Sequence, residues 1–589
     1  MNARLPSTPS TTRHEHPVPD RAGANAYTDD PEFARLLPLY LPSELVAHLQ
    51  PHLHRLGALA GGELDRLAHS ADQNPPTLAH RSRAGLDDQR ILKHPDYVEM
   101  ERLAFSEFGL AAMSHRGGVL GWDRPMPAAA KYALSYLFVQ AEFGLCCPLS
   151  MTDSLTRTLR KYGSPELVQR YLVDLTTQDL DALSQGAMFM TEQGAGSDVS
   201  ATETLARPDD SEAGQPQQTW RLYGDKWFCS NPDAALAMVL ARTEGAPAGM
   251  KGVSLFLLPR TLPDGRPNDY RIIRLKDKMG TRSMASGEIR LEGAKAWLVG
   301  ELGRGFAQMA DMVNNSRLSN GMRAAGLMRR AASEAIYIAR HRQAFGKHLI
   351  DMPLMQRQLA KIMLPAEQAR TMMFQTAEAL RRSDAGEAGA YPLTRLLTPL
   401  IKFRACRDAR KATGDAMEVR GGCGYIEEWG DPRIVRDAHL GSIWEGTSNI
   451  VALDVMRAIV REDALPVWRT HVQALLAQTP WHAQAQQRLQ DLLPQVQALA
   501  EHTAHHKNEA MARQAASALY HLTTAIAMGW EAGQTGSLRR MLLAQLVLRH
   551  RLLPQDPLQA LPSADLAPLF DTQASVATAQ TLQAMNLLG

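Results

Sequence analysis

The sequence predicts an α+β protein, mostly α, in which a β domain separates two helical regions. Three observations lead to this prediction. Before about residue 185, apolar residues recur three and four apart, as in "PAAAKYALSYLFVQAEFG". Between about 186 and 305, short runs such as "KGVSLFLLP" alternate with clusters of Gly, Pro, Asn and Asp, which is typical of strands and turns. Helical spacing then returns over long stretches.

The chain has 589 residues, enough for several domains. Changes in composition and in the spacing of apolar residues divide the sequence into five parts. These are a mobile N-terminal arm (1–30), an N-terminal helical domain (31–185), a middle β domain (186–305), a C-terminal helical bundle (306–460) and an additional helical extension (461–589). The arm is rich in Pro, Ser, Thr and His and has no apolar period.

Two long helices are predicted in the bundle, one around Leu318 to Ala339 and one around Leu359 to Leu380. Pro365 lies inside the second, where it removes a backbone donor, so a kink or a break is expected there. A third helix is expected to end at Gly421, because glycine accepts the backbone conformation that ends helices.

Composition narrows the class of protein. Apolar residues make up 45% of the chain and charged residues 21%, which indicates a globular protein. With 64 Lys plus Arg against 62 Asp plus Glu, overall charge favours neither nucleic acid nor an acidic membrane as partner. No apolar run is long enough to span a membrane and the first residues lack the apolar core of a signal peptide, so we expect a cytoplasmic protein.

No metal site or disulfide scaffold is predicted. The five cysteines are an odd number without a CxxC pair, which is typical of reduced packing residues. His502, His505 and His506 have helical spacing but no carboxylate partner at a defined position, so a solvated helix face is the better interpretation.

A nucleotide cofactor cannot be held by a common glycine motif, because the chain has neither GxGxxG after a strand nor GxxxxGK[ST]. "MTEQGAGSD" (190–198) offers glycines that allow close backbone approach and hydroxyls at Thr191 and Ser197, although a plain polar turn has the same composition. Arg342 in "HRQAFG" can hold a pyrophosphate or form an exposed ion pair.

Six stretches together resemble a known family. "MTEQGAGSD", "GDKWFCSN", "MGTRSMASGEI", "RQAFG", "VRGGCGY" and "IWEGTSNI" occur in the order and at about the spacing found in the acyl-CoA dehydrogenase family. The match covers about residues 186 to 455. The segments "ADQNPPTLAH", "ILKHPDY" and "RLKDKMGTRSMAS" and the long C-terminal extension resemble its AidB group, which is associated with the adaptive response to DNA alkylation.

The resemblance implies three acyl-CoA dehydrogenase domains with FAD between them, in a homotetramer. Residues matching the family's FAD contacts are Met190, Thr191, Ser197, Phe228, Ser230, Arg342, Phe345, Glu418, Gly421, Gly422, Thr447 and Asn449. Of these, Arg342 and Phe345 match residues that reach the FAD of a neighbouring subunit. Phe228 stands where a tryptophan is common and loses its indole donor, and Glu418 replaces a usual glutamine.

By the same resemblance, Glu445 is the catalytic base that removes the α-proton of an acyl-CoA thioester while the β-hydride passes to flavin N5. Some members carry the base earlier, at the position of Ser316, where a serine cannot serve. Trp444 and Arg317 match substrate contacts, although Asn314 stands where an aspartate often accompanies the arginine. Electron-transfer flavoprotein or oxygen is the implied electron acceptor. A carboxylate favoured at a helix N-terminus is the alternative role for Glu445.

The resemblance to the AidB group also leaves a second function open, namely protection of double-stranded DNA with weak or vestigial dehydrogenase activity. Residues 461–589 carry nine basic and nine acidic residues, so only a local cluster could bind phosphates. The candidates for such a cluster are Arg539, Arg540, Arg549 and Arg551, with surface solubility as the alternative interpretation.

Overall fold

The computed structural model describes residues 18–209, 218–556, 558, 566–570 and 576–588. Most of the predicted mobile arm, residues 1–17, lies outside the described residues. The N-terminal region contains the elements α1 (Pro31–Tyr40), α2 (Ser43–Gly61), α3 (Glu63–Gln73), β1 (Thr77–Arg81), β2 (Asp87–Leu92), α4 (Pro95–Glu101), α5 (Ala128–Phe138), α6 (Cys146–Tyr162) and α7 (Pro165–Thr176).

Side-chain caps fix two helix starts in this region. Asp30 accepts a hydrogen bond from the Phe33 amide at 3.2 Å, and Ser164 accepts one from the Leu167 amide at 3.3 Å. The region is helical as predicted, except for the antiparallel hairpin of β1 and β2, which was not predicted.

The middle region is a sheet of seven strands: β3 (Gly186–Phe189), β4 (Leu205–Pro208), β5 (Thr219–Ser230), β6 (Leu236–Thr243), β7 (Val253–Pro259), β8 (Tyr270–Leu275) and β9 (Ser286–Val299). Pairings run from β4 to β5, β9, β7, β6 and back to β4, so these five strands form a closed ring. Strand β3 pairs with β6, and β8 pairs with β9. Phe189, Leu222, Val239, Phe256 and Ile289 are buried in its core.

Long helices follow the sheet. They and two short strands are α8 (Gly305–His341), β10 (Gln343–Ala344), β11 (Lys347–His348), α9 (Pro353–Asp384), α10 (Ala390–Arg420), α11 (Gly430–Gly441) and α12 (Ser448–Glu462). Helix α9 continues through Pro365, so the predicted interruption does not break it. Helix α10 ends at Gly421, whose φ of +74° favours glycine.

The extension adds α13 (Ala464–Ala477), α14 (Ala483–His505), α15 (Ala512–Thr535), α16 (Leu538–Val547), α17 (Ala567–Phe570) and α18 (Ala579–Ala584). Buried polar contacts join it to the rest of the chain. Glu531 of α15 accepts hydrogen bonds from Tyr40 of α1 at 2.7 Å and from Thr371 of α9 at 2.8 Å. The extension is therefore packed into the same body as the bundle.

Candidate active site

Glu445 lies in the loop between α11 and α12, in a backbone conformation that is unusual for a residue with a side chain. Its φ is +54°. Two cations hold this loop: Arg317 Nε donates to the Glu445 carbonyl at 3.1 Å, and Lys402 Nζ donates to the Gly446 carbonyl at 2.7 Å. Because both cations come from long buried helices, the strained loop is anchored to the bundle.

The Glu445 carboxylate itself is held by two residues of α8. Ser316 Oγ donates to one carboxylate oxygen and Asn320 Nδ2 donates to the other. Ser316 and Asn320 are four residues apart, so they lie on the same face of the helix. Their part in the site was not predicted, although this spacing on a predicted helix beside Arg317 was available in the sequence.

Arg317, predicted as a substrate contact, bonds to other residues of the protein. Besides the Glu445 carbonyl, it contacts Asp454 of α12, with 2.7 Å between Nη1 and Oδ2. Burial alone would raise the pKa of Asp454, but Arg317 and Arg395 hold it below its usual value. Arg317 therefore fixes the loop of Glu445, and its contact with CoA stays a prediction.

Trp444, the second predicted substrate contact, is half-buried beside an aromatic and a cation. Its ring is stacked on Phe143 with 6.0 Å between centroids, and the Arg323 guanidinium lies 4.8 Å from its centroid. The indole Nε1 has no hydrogen-bond partner among the described residues.

Cys147 of α6 connects Glu445 to the predicted flavin strand. Burial raises the pKa of the Cys147 thiol and the Glu445 carboxylate adds to the rise, whereas Arg323 and a hydrogen bond with Ser230 oppose it. Glu445, Arg323 and Ser230 therefore all lie near the buried thiol of Cys147. The fold brings the end of strand β5 together with the loop of Glu445.

The "MTEQGAGSD" loop leaves the end of β3 and is fixed by a buried ion pair. Lys226 Nζ contacts Glu192 at 2.6 Å, and the same carboxylate accepts hydrogen bonds from the amides of Glu203 at 2.6 Å and Thr204 at 3.1 Å. The Thr191 carbonyl accepts a hydrogen bond from the Trp227 amide at 2.8 Å. Met190 and Thr191 are half-buried and Ser197 is exposed, so the loop lies along β5 with its polar groups accessible.

These residues fit a flavin. Phe228 leaves 56% of its surface exposed, which is unusual for an aromatic side chain in a strand. No atom of the described residues lies within 4 Å of the point where a side chain would begin at Gly194 and Gly196, so a ligand can approach their backbone. Thr447 and Asn449, at the start of α12, are exposed as well. An exposed ring beside open, polar backbone suits a planar ring system with polar edges.

The remaining predicted cofactor residues lie close together at the C-terminal end of α10. Arg342 Nη1 donates to the Arg420 carbonyl at 3.0 Å and lies next to Gly421. Glu418, Gly421 and Gly422 are exposed around it. Phe345, at the tip of the β10–β11 hairpin, is 98% exposed with φ +52°. Helix rise places Gly421 about 28 Å along α10 from Lys402, which contacts the loop of Glu445.

The prediction of a cationic surface cluster in the extension is wrong for three of its four arginines. Arg539, Arg540 and Arg549 are buried, and only Arg551 is exposed. Arg540 pairs with Glu367 at 2.9 Å and Glu531 at 2.5 Å, and Arg539 pairs with Glu367 at 3.0 Å. The charges of Arg539 and Arg540 balance buried carboxylates and Arg549 is buried as well, so these three arginines cannot form a phosphate-binding surface.

Family models match three consecutive parts of the chain. The "Adaptive response protein AidB N-terminal domain" matches residues 17–182, the "Acyl-CoA dehydrogenase, middle domain" matches 187–294, and the "Acyl-CoA dehydrogenase, C-terminal domain" matches 303–460. The chain belongs to the acyl-CoA dehydrogenase family. Its N-terminal domain is of the AidB type. The predicted resemblance and fold class are thus confirmed.

Individual relatives agree with the models. The chain is 37% identical to the "Putative acyl-CoA dehydrogenase AidB" of Escherichia coli, over 69% of this chain and 73% of that protein. It is 32% identical to "Acyl-CoA dehydrogenase family member 11" of Caenorhabditis elegans, over 77% and 74%. A solved structure of Caenorhabditis elegans ACDH-11 in complex with C11-CoA matches with a TM-score of 0.84 at 27% identity, covering 94% of this chain and 96% of that one.

The acyl-CoA dehydrogenase family is FAD-dependent, and the predicted cofactor is confirmed as FAD. A Bacillus anthracis acyl-CoA dehydrogenase complexed with FAD shares the fold, with a TM-score of 0.68 at 17% identity over 90% of both chains. Within the described residues, no helix is both long and apolar enough to cross a bilayer.

Proposed function

We propose that this family member is an acyl-CoA dehydrogenase in which Glu445 removes the α-proton of an acyl-CoA thioester. The observation that supports this most is the position of the Glu445 carboxylate. It is fixed by Ser316 and Asn320 on one side, and shares the neighbourhood of Cys147 with Ser230 at the end of the flavin strand. A carboxylate beside a flavin site is the base that dehydrogenation of a thioester requires.

FAD, when bound, supplies the oxidant that accepts the β-hydride. The protein's own residues supply the rest. Thr191, Ser197, Phe228 and Ser230 would hold the flavin, and Glu445 would take the proton from Cα. Ser316 and Asn320 orient the carboxylate beforehand, and Arg317 and Lys402 keep its backbone in place. Burial lowers the pKa of Lys402 to about 8, so its ammonium stays mostly charged at neutral pH.

We also propose a homotetramer in which the exposed group around Arg342 and Phe345 completes the FAD site of a neighbouring subunit. This group lies about 28 Å along α10 from the loop of Glu445, so it would serve a different FAD molecule. Electron-transfer flavoprotein or oxygen is the expected electron acceptor. Binding of duplex DNA through the four arginines of the extension is not proposed, because three of them are buried in the fold.

An anaerobic titration of the FAD-loaded protein tests the proposed activity. A panel of short, branched and long acyl-CoA thioesters is added, and the flavin absorbance near 450 nm is followed together with formation of the enoyl-CoA by mass spectrometry. Bleaching with enoyl-CoA formation by at least one thioester is expected. Bound FAD that no thioester bleaches would contradict the proposal.

A further inference from the structure

Arg323 is a buried cation that forms no ion pair with any described carboxylate. It lies on α8, one turn beyond Asn320, and its exposed fraction is 0%. Its Nε and Nη2 make only long hydrogen bonds, each 3.4 Å, to the Ser319 carbonyl and to Ser150 Oγ. Its Nη1 has no hydrogen-bond partner in the described part of the chain. A guanidinium is seldom buried unless it is paired, because desolvation is costly.

Aromatic rings hold this guanidinium in place. Its central carbon lies 4.8 Å from the ring centroid of Trp444 and 5.5 Å from that of Phe143. The Glu445 carboxylate nearby is bonded to Ser316 and Asn320 instead. The guanidinium is thus positioned beside the loop of Glu445, with no ion pair among the described residues and with part of its donor set unused.

A small cavity lined by both apolar and polar residues lies beyond Ser150. Its volume is about 20 Å³, enough for one water-sized group, and it lies between α5, α6 and α8. Hydroxyls of Ser135, Ser150 and Ser319 are among its lining groups. Lys131 closes the far side, where its Nζ contacts Asp153 at 2.7 Å.

The cavity is close to the catalytic carboxylate. Ser150 Oγ lies 3.5 Å from Ser316 Oγ, which in turn donates to Glu445. The path from the Glu445 carboxylate to Ser150 therefore spans two hydrogen-bond lengths, about 6 Å. An acyl group whose Cα lies at Glu445 would reach Ser150 and Arg323 within a few carbon–carbon bonds.

We propose that the acyl group taken by this site ends in a carboxylate, which pairs with Arg323 and accepts a hydrogen bond from Ser150. The substrate class is the mono-CoA thioester of a short dicarboxylic acid. This inference rests on the proposed dehydrogenase function and specifies its substrate. The carboxylate would supply the anion that the buried guanidinium lacks, in a bidentate geometry for which arginine is suited.

Paired thioesters test the proposal by equilibrium binding, independently of turnover. Succinyl-, glutaryl- and adipyl-CoA are compared with butyryl-, valeryl- and hexanoyl-CoA, in which a methyl group replaces the distal carboxylate. Binding is measured by calorimetry to the FAD-loaded Glu445→Gln protein, which cannot abstract the proton. We expect at least one dicarboxylic thioester to bind about tenfold or more tightly than its partner. Equal binding in every pair, or preference for the methyl partners, would overturn the proposal.

Variants at Arg323 assign the preference to that side chain. In the same Glu445→Gln background, Arg323→Met should remove the preference by weakening only the dicarboxylic thioester, whereas Arg323→Lys should keep part of it. Equal weakening of both members of a pair by Arg323→Met would show a structural role and overturn the assignment. Circular dichroism and FAD content check folding, and if Arg323→Met does not fold, Ser150→Ala must weaken the dicarboxylic thioester alone. Failure of the wild type to bleach with any thioester would instead contradict the dehydrogenase function.

Discussion

At the scale of single residues, the prediction of Glu445 as the base came from "IWEGTSNI" together with five other stretches that match one family in order. The residues that hold its carboxylate were not predicted: the spacing of Ser316 and Asn320 was visible on a predicted helix, but their contact with Glu445 depends on the crossing of α8 with the loop. Arg540 illustrates the opposite error. Its charge was visible in the sequence, but its burial against Glu367 and Glu531 depends on how three helices pack.

The ion pair of Glu192 and Lys226 allows a prediction about FAD affinity. Glu192→Gln leaves the fully buried Lys226 without a carboxylate, which typically costs about 3–5 kcal/mol for a buried pair. The loop that carries Thr191 and Ser197 should loosen, and we expect FAD to bind at least about tenfold more weakly. Titration of the apoprotein with FAD, followed by flavin fluorescence, measures this.

Glu203→Gln is the matched control, because Glu203 lies in the same loop with its side chain exposed. It should bind FAD like the wild type. If Glu192→Gln and Glu203→Gln bind FAD equally, the buried pair does not shape the flavin loop.

At the scale of elements, apolar periodicity predicted the long helices α8 and α9, because each buries one face over many turns. Of the kink or break predicted at Pro365, the break is wrong, because α9 continues through this residue and packing of the buried helix outweighs the missing backbone donor. The hairpin of β1 and β2 was missed because "TLAHR" and "DDQRIL" are rich in charged and polar residues, unlike most strands.

Asp437 of α11 joins the bundle to the sheet region and should make this contact pH-dependent. Its carboxyl accepts a hydrogen bond from the Thr281 amide at 2.6 Å. Burial, together with Asp72 and Glu142, raises its pKa from 3.8 to about 7. The folded protein therefore keeps this proton between those pH values while the unfolded chain releases it, so the stabilisation is present at low pH and is lost as pH rises through about 7.

Asp437→Asn tests this pH dependence, because an asparagine is neutral throughout and can still accept from Thr281. Relative to the wild type, its apparent Tm should rise between about pH 5 and about pH 8, by an amount that corresponds to at most about 3 kcal/mol. Scanning fluorimetry at both pH values measures the difference. Asp123→Asn, whose side chain is 89% exposed, should show no such change. A Tm difference for Asp437→Asn that is the same at both pH values would refute the assignment.

At the scale of the whole molecule, a near-neutral net charge of +2 and the order of helical and β regions predicted the class of protein from the sequence. The contacts between subunits could not be predicted from net charge and the order of elements, since these contacts depend on which apolar side chains stay exposed after folding. Phe345 is such a side chain, at 98% exposure beside Arg342.

Phe345→Ser should weaken both assembly and FAD binding if this hairpin reaches a neighbouring subunit. We expect a smaller mass in analytical ultracentrifugation. FAD affinity should fall by about tenfold, because a neighbouring subunit that covers the FAD strengthens its binding. Val173→Ser, which removes an apolar side chain that is 72% exposed on α7, is the control and should change neither quantity. A Phe345→Ser protein with the mass and FAD affinity of the wild type would contradict the proposed tetramer site.

The proposed dehydrogenase function depends on Glu445 as the base. Stopped-flow measurement of flavin bleaching under anaerobic conditions, with the best thioester of the panel, compares the wild type with Glu445→Gln and with Glu428→Gln, a control at an exposed residue. We expect Glu445→Gln to bind FAD normally and to bleach on the order of 10³-fold more slowly, while Glu428→Gln matches the wild type. Bleaching by Glu445→Gln at a rate close to that of the wild type would contradict the account.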